Sequence, residues 1–278
     1  MSDPRLTPAR PDLAAESLRG LIAAPRYAAG TPRVVADPVA PLRRAPSSGA
    51  PLDTEALMGE TVTVYDSDDE GWSWVQLEAD GYVGYLPSDA LRAPAGAPTH
   101  RVSATRTFLF PGPDIKLPPL ATLPFGARLA VREAGDTFVR LASGFVFARH
   151  VAPLDAAEPD LVAVATRFLG TPYLWGGRSA FGLDCSGLVQ TALTACGLAC
   201  PRDSDMQEAA LGHAIDPAGP FERGDLLFWP GHVAIAETPD TLLHANAFHM
   251  MVAREPLAPA LARIAASAPL RSARRITA

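Results

Sequence analysis

A chain of 278 residues with 30 acidic and 24 basic side chains carries a formal net charge of −6, which argues against a nucleic-acid or anionic-membrane surface as its partner. That length allows about two domains with a sizeable core. No run of ~20 apolar residues is available to span a membrane, and the opening Met1-Ser2-Asp3-Pro4-Arg5-Leu6-Thr7-Pro8 lacks the basic and apolar regions of a secretory signal, so the cytoplasm is the expected compartment.

Residues 1–32 are rich in Pro, Arg and Ala, and the pattern at 12–23 predicts a helical piece in an N-terminal extension. From 33 to 153 short alternating runs separated by turn residues predict strands near 33–39, 61–65, 72–77, 81–86, 99–104, 127–132, 138–141 and 144–147. The two halves share a pattern. Leu57-Met58-Gly59-Glu60, Trp72-Ser73-Trp74-Val75 and Gly81-Tyr82-Val83 in residues 33–95 are echoed by Leu123-Pro124-Phe125-Gly126, Thr137-Phe138-Val139 and Gly144-Phe145-Val146 in residues 96–153. Many short strands at this spacing predict small β-barrels or sandwiches, and the repeat predicts two such units rather than one long sheet.

An amphipathic segment at 158–169 opens a C-terminal domain, residues 154–278. A helix is predicted over 186–196, ended by Gly197, and strands over 225–229, 233–237, 241–243 and 250–254. One core helix against an antiparallel sheet is an α+β arrangement.

The chemistry gathers in this last domain. Cys185, between Asp184 and Ser186 at the start of the predicted helix, lies where backbone N–H groups and the helix dipole would favour a thiolate. His232 and His244 each sit beside an apolar run that reads as a buried strand, so both are candidates to complete a nucleophilic set; His249 is a further one. Cys196 and Cys200 have no histidine or second cysteine pair at zinc-like spacing, so no metal is expected, and three cysteines are too few for a disulfide scaffold.

The ordered motifs Pro172-Tyr173-Leu174-Trp175-Gly176-Gly177, Asp184-Cys185-Ser186-Gly187, Arg223-Gly224-Asp225-Leu226-Leu227-Phe228 and Gly231-His232-Val233-Ala234-Ile235 resemble the NlpC/P60 family of papain-like cysteine peptidases, which cut peptidoglycan stem peptides. The tandem repeat ahead of them resembles bacterial SH3 modules. The resemblance implies an α+β papain-like catalytic domain preceded by two SH3-like barrels, with Cys185 as nucleophile, His232 as its partner and His244 orienting His232. Tyr173 then helps hold the oxyanion, or is a packed aromatic. Trp175 shapes the pocket wall or the core, and Asp184 caps the helix.

In γ-D-glutamyl-diamino acid endopeptidases bearing SH3 modules, the pair matching Asp203 and Ser204 binds the free α-amino end of a peptide beginning with L-Ala; the alternative is that either residue caps the next helix. The first module contributes acidic and tyrosyl groups to the groove in those enzymes, with Glu55, Glu60, Tyr82 and Tyr85 as candidates here, and packs on the catalytic domain. The expected function is hydrolysis of the γ-D-glutamyl-meso-diaminopimelate bond in small murein peptides during wall recycling, without metal or organic cofactor. The rivals are an exported wall hydrolase using its SH3 modules to bind polymer, a non-catalytic wall-binding scaffold, and an acyl transferase.

Overall fold

Antiparallel strands too short to stand alone dominate the first half of the chain. In the computed structural model, which describes residues 3–277, the chain divides into one unit ending at Leu154 and a second beginning at Asp155.

In the first unit, a seven-stranded antiparallel sheet runs in the spatial order Leu91–Arg92, Thr31–Val35, Thr61–Ser67, Trp72–Leu77, Val83–Pro87, Val39–Arg43, Leu52–Leu57. Alternate residues along these strands (Ala40 and Leu42; Val75 and Leu77) turn inward with Val35, Val62 and Leu86 to form one apolar cluster. Residues 100–153 form a second β-rich body of a three-stranded and a five-stranded sheet around Val102, Leu109, Leu123, Val139 and Val146. The backbone N–H of Arg128 donates to the carbonyl of Met58 at 2.7 Å, joining the two bodies.

The helix expected at 12–23 is absent. That segment holds the strand Leu13–Ala15, paired antiparallel to Ala9–Arg10 and parallel to Arg26–Ala28, followed by a single 3-10 turn at Glu16–Leu18. Leu13, Ala14 and Ala15 are all buried in succession, a demand that one face of a helix cannot meet. Prolines at 8, 11 and 25 bracket the piece, and a helix of about a dozen residues has little stability of its own, so strand pairing overrides propensity.

The second unit is built on a six-stranded antiparallel sheet in the order His213–Ile215, Ser272–Arg275, Leu226–Trp229, His232–Thr238, Thr241–Asn246, Met251–Pro256. Helix α1 (Leu161–Thr166) is shorter than the predicted amphipathic segment and is capped by Asp160, whose carboxylate accepts from Val162 and Ala163 N–H. Helix α2 (Cys185–Ala195) is buried along most of its length and packs on α1 and on the strands His232–Thr238 and Thr241–Asn246. Helix α3 (Ser204–Ala210) touches α2 and the strand Ser272–Arg275. Helix α4 (Leu257–Ala265) lays Leu257, Leu261 and Ile264 on Leu227, Trp229, Ala234, Ala236 and Leu242 of the sheet. Sheet and helices thus give an α+β unit. Among the described residues no helix is long and apolar enough to cross a membrane.

Candidate active site

Cys185 is the first residue of α2, and the residues around it explain why. Asp184 is the N-cap, its carboxylate accepting from Gly187 N–H at 2.7 Å and from Gly176 N–H at 2.9 Å. The same carboxylate receives both guanidinium nitrogens of Arg202, at 3.0 and 2.7 Å. Arg202, only 1% exposed, also donates to Ser186 Oγ and the Gly177 carbonyl. Gly187 allows this closeness, because a Cβ there would lie 2.2 Å from the Gly177 carbonyl oxygen. The Gly-Gly and Asp-Cys-Ser-Gly motifs are therefore two sides of one contact.

His232 is placed by a hairpin. Strands Leu226–Trp229 and His232–Thr238 pair with Trp229 opposite His232, and the two intervening residues are Pro230 and Gly231, the latter at φ 72°, as a tight turn with Pro then Gly requires. The next residue, Val233, donates its backbone N–H to the Cys185 sulfur. His232 Nε2 lies 2.9 Å from His244 Nδ1, and His244 Nε2 lies 2.8 Å from Glu255 Oε1. Glu255 is in turn held by Arg263 of α4. His249 stands at the edge of this group, bonded to Asn246 Oδ1 through its backbone N–H, with Nδ1 3.5 Å from Glu255.

The structure brings together Cys185, His232 and His244, and adds Tyr173, whose hydroxyl is pushed above the ordinary tyrosine value by burial and by the neighbouring Cys185 and Asp184. Burial, then the Asp184 charge, push the Cys185 thiol up to about 12, against opposing hydrogen bonds from Val233 and Ser186 N–H. Burial and the adjacent His244 push His232 down to about 3, and burial also lowers His244 against the pull of Glu255. Burial thus works against a thiolate at Cys185 and against an imidazolium at His232, in opposition to the dipole at the helix start.

Trp175 is 65% exposed on its loop, so it does not belong to the core. Asp203 is the N-cap residue of α3 by backbone geometry, yet its carboxylate makes no capping bond to that helix; Ser204 is the first helical residue. Both follow Arg202, whose ion pair with Asp184 fixes the turn against the start of α2. In the first unit Glu55 and Glu60 are buried, Glu60 accepting from Leu57 N–H at 2.9 Å. Tyr82 belongs to the apolar cluster of the seven-stranded sheet, and Tyr85 accepts from Arg10. Among the described residues, no group of three or more His, Cys, Asp or Glu is arranged to hold a metal ion.

Sequence reasoning missed Arg202, Glu255 and Arg263. Arg202 stands immediately before the Asp203-Ser204 pair, but its partner Asp184 lies 18 residues away in the chain. Glu255 was findable in principle: His244 is opposite Ala253 across the strand pair, which puts Glu255, two residues on, diagonally beside it on the same face.

Residues 170–261 match the model of the NlpC/P60 family, and residues 42–91 match that described as the bacterial dipeptidyl-peptidase Sh3 domain. Curated relatives include a gamma-D-glutamyl-L-lysine dipeptidyl-peptidase of Bacillus cereus, 30% identical over 64% of this chain and 60% of that one. Another of the same name from Bacillus subtilis is 31% identical over 64% of each chain. The matches thus span less than two thirds of the length of these relatives. A crystal structure of an NlpC/P60 family protein from Bacillus cereus shares the fold, with a TM-score of 0.75 at 24% identity over 88% of this chain and 99% of that one. The second unit of the chain carries an NlpC/P60 domain, and it follows a β-rich, SH3-like region.

Proposed function

We propose that this protein is a cysteine endopeptidase that hydrolyses the bond between γ-D-glutamate and a diamino acid, meso-diaminopimelate, in short murein peptides with a free N-terminal L-Ala. The observation that carries the reading is the line of groups at the start of α2: Cys185 with Val233 N–H on its sulfur, and His232 bonded to His244. In this mechanism His232 takes the thiol proton as Cys185 attacks the γ-carbonyl, then gives it to the departing amine. Water, deprotonated by the same imidazole, resolves the thioester. The tetrahedral oxyanion is met by the Cys185 N–H and by the Tyr173 hydroxyl, which its raised pKa keeps protonated and able to donate.

The relatives' names support γ-D-glutamyl chemistry, and they specify lysine as the diamino acid. Asp203, the residue that precedes α3, with Ser204 is the proposed receptor for the substrate ammonium, as the family resemblance implies, a charge-assisted contact that an N-blocked chain cannot make. The cytoplasm, where such free peptides are recovered from wall turnover, is the proposed compartment.

The test is cleavage of L-Ala-γ-D-Glu-meso-diaminopimelate, of the L-lysine peptide and of the N-acetylated peptide, by the protein and by Cys185→Ala. The reading expects cleavage of the free diaminopimelate peptide, abolition in the variant, and a rate about 10- to 100-fold lower once the amine is blocked, the scale of a lost charge-assisted contact. Equal cleavage of free and acetylated peptides would point to a hydrolase of intact wall; no cleavage of any would sink the peptidase reading.

A further inference from the structure

Beyond Cys185, His232 and His244 lies a carboxylate with no part in the chemistry so far. Glu255 is 8% exposed and points its Oε1 at His244 Nε2, 2.8 Å away. Arg263 donates to both of its oxygens, at 2.5 and 2.7 Å, while its guanidinium stacks 4.2 Å from the centre of the Phe248 ring. Burial opposes ionisation of Glu255, but the hydrogen bonds from Arg263 and His244 outweigh it and leave the group below the ordinary carboxylate range. An ionised carboxylate can only accept. The proton on His244 must therefore sit on Nε2.

The rest follows for the neutral form of His244, which burial favours: it has a bare Nδ1, and a bare nitrogen 2.9 Å from His232 Nε2 can only accept. His232 must carry its proton on Nε2, which leaves Nδ1 bare. Nδ1 is the ring nitrogen nearer the main chain, and the main chain at Val233 is what touches the Cys185 sulfur.

We infer that Glu255, clamped by Arg263, is a positioning residue that sets the tautomers of two histidines in series and so leaves His232 with its base on the side of Cys185. The inference rests on the proposed use of His232 as proton acceptor, although the tautomers themselves can be observed without any substrate. Without Glu255, His244 can hold its proton on Nδ1 and donate to His232. That turns His232 over to the Nδ1-protonated form, which cannot accept from the thiol.

Two variants separate placement from mere structure. In Glu255→Gln the position of Oε1 receives both His244 and Arg263, so the amide oxygen is drawn there by two donors and the tautomers should persist. Glu255→Leu removes the acceptor. The experiment is two-bond 1H–15N correlation of histidine-labelled full-length protein, with thermal melts as a folding control and kcat and KM on L-Ala-γ-D-Glu-meso-diaminopimelate. We expect Nε2–H signatures for both His232 and His244 in the parent and in Glu255→Gln, and a shift to Nδ1–H at His244 in Glu255→Leu. In parallel, kcat should fall about 100-fold or more in Glu255→Leu, with KM within about threefold, and within about tenfold in Glu255→Gln, as expected when only proton placement is disturbed.

Nδ1–H on either histidine of the parent protein overturns the inference, as does an unchanged His244 signature in folded Glu255→Leu. If Glu255→Leu does not fold, the parent and Glu255→Gln spectra still decide. Correct tautomers with no peptide cleavage by the parent would overturn the proposed function and leave the placement of the protons standing.

Discussion

Moving a thiolate out of water costs more than the first turn of a helix returns, and Cys185 feels that difference. Its surroundings offer Val233 and Ser186 N–H to the sulfur, but burial and the Asp184 carboxylate push the thiol up to about 12. His232 is pushed the other way, down to about 3. A raised thiol pKa means that the fold disfavours the thiolate at every pH below that value, so reaction with an external electrophile must climb with pH and cannot level off near neutrality. Alkylation of Cys185 by iodoacetamide, followed by mass spectrometry of the peptide carrying it, is expected to accelerate about tenfold per pH unit between roughly pH 7 and 10. A plateau from about pH 5 to 8 would instead reveal a resting thiolate–imidazolium pair and refute the neutral one.

At the scale of elements, α2 is held at its start by more than its own capping. The Asp184–Arg202 pair is almost wholly buried, with side chains 10% and 1% exposed, and its hydrogen bonds reach Gly176, Gly177, Gly187 and Ser186. Removing one partner leaves the other charge stranded. Arg202→Met, which keeps length but removes charge, is expected to lower stability in urea unfolding by about 3–5 kcal/mol. Arg202→Lys should recover only part of that, since a single ammonium cannot reproduce the two-pronged contact. A loss under about 1 kcal/mol for Arg202→Met would mean that the pair does not organise the helix start.

This element also shows where the sequence was legible. Cys185 at a helix start, Gly197 at its end (φ 77°) and His232 after a Pro-Gly turn all announce themselves through local backbone chemistry. Arg202 and Glu255 do not, because their roles depend on which distant residue folding brings opposite them: Asp184 for the first, a diagonal position across the strand Thr241–Asn246 for the second. The segment 12–23 misleads for the same reason. Its helix-like composition is local, and the strand pairing that overrides it is not.

Across the whole molecule, pairing and burial respect the boundary at Leu154 and Asp155. Among the described residues, each sheet draws its strands from one side of that boundary only, and the cluster of Leu227, Trp229, Ala234, Leu242 and Ala273 under α4 lies wholly within the second unit. A domain of this size with its own sheet and apolar cluster should fold without help. A fragment of residues 155–278 is therefore expected to unfold in one cooperative step in urea, with a slope of about 1–2 kcal/mol/M, and to keep the histidine tautomers of the intact chain. A gradual transition without a folded baseline would show that the cluster alone is insufficient. Because the fragment contains Asp203 and Ser204 but none of the first unit, a preference for a free amine that survives in it resides in the second unit, as the proposed amine receptor requires, and a preference that disappears while cleavage persists counts against that receptor.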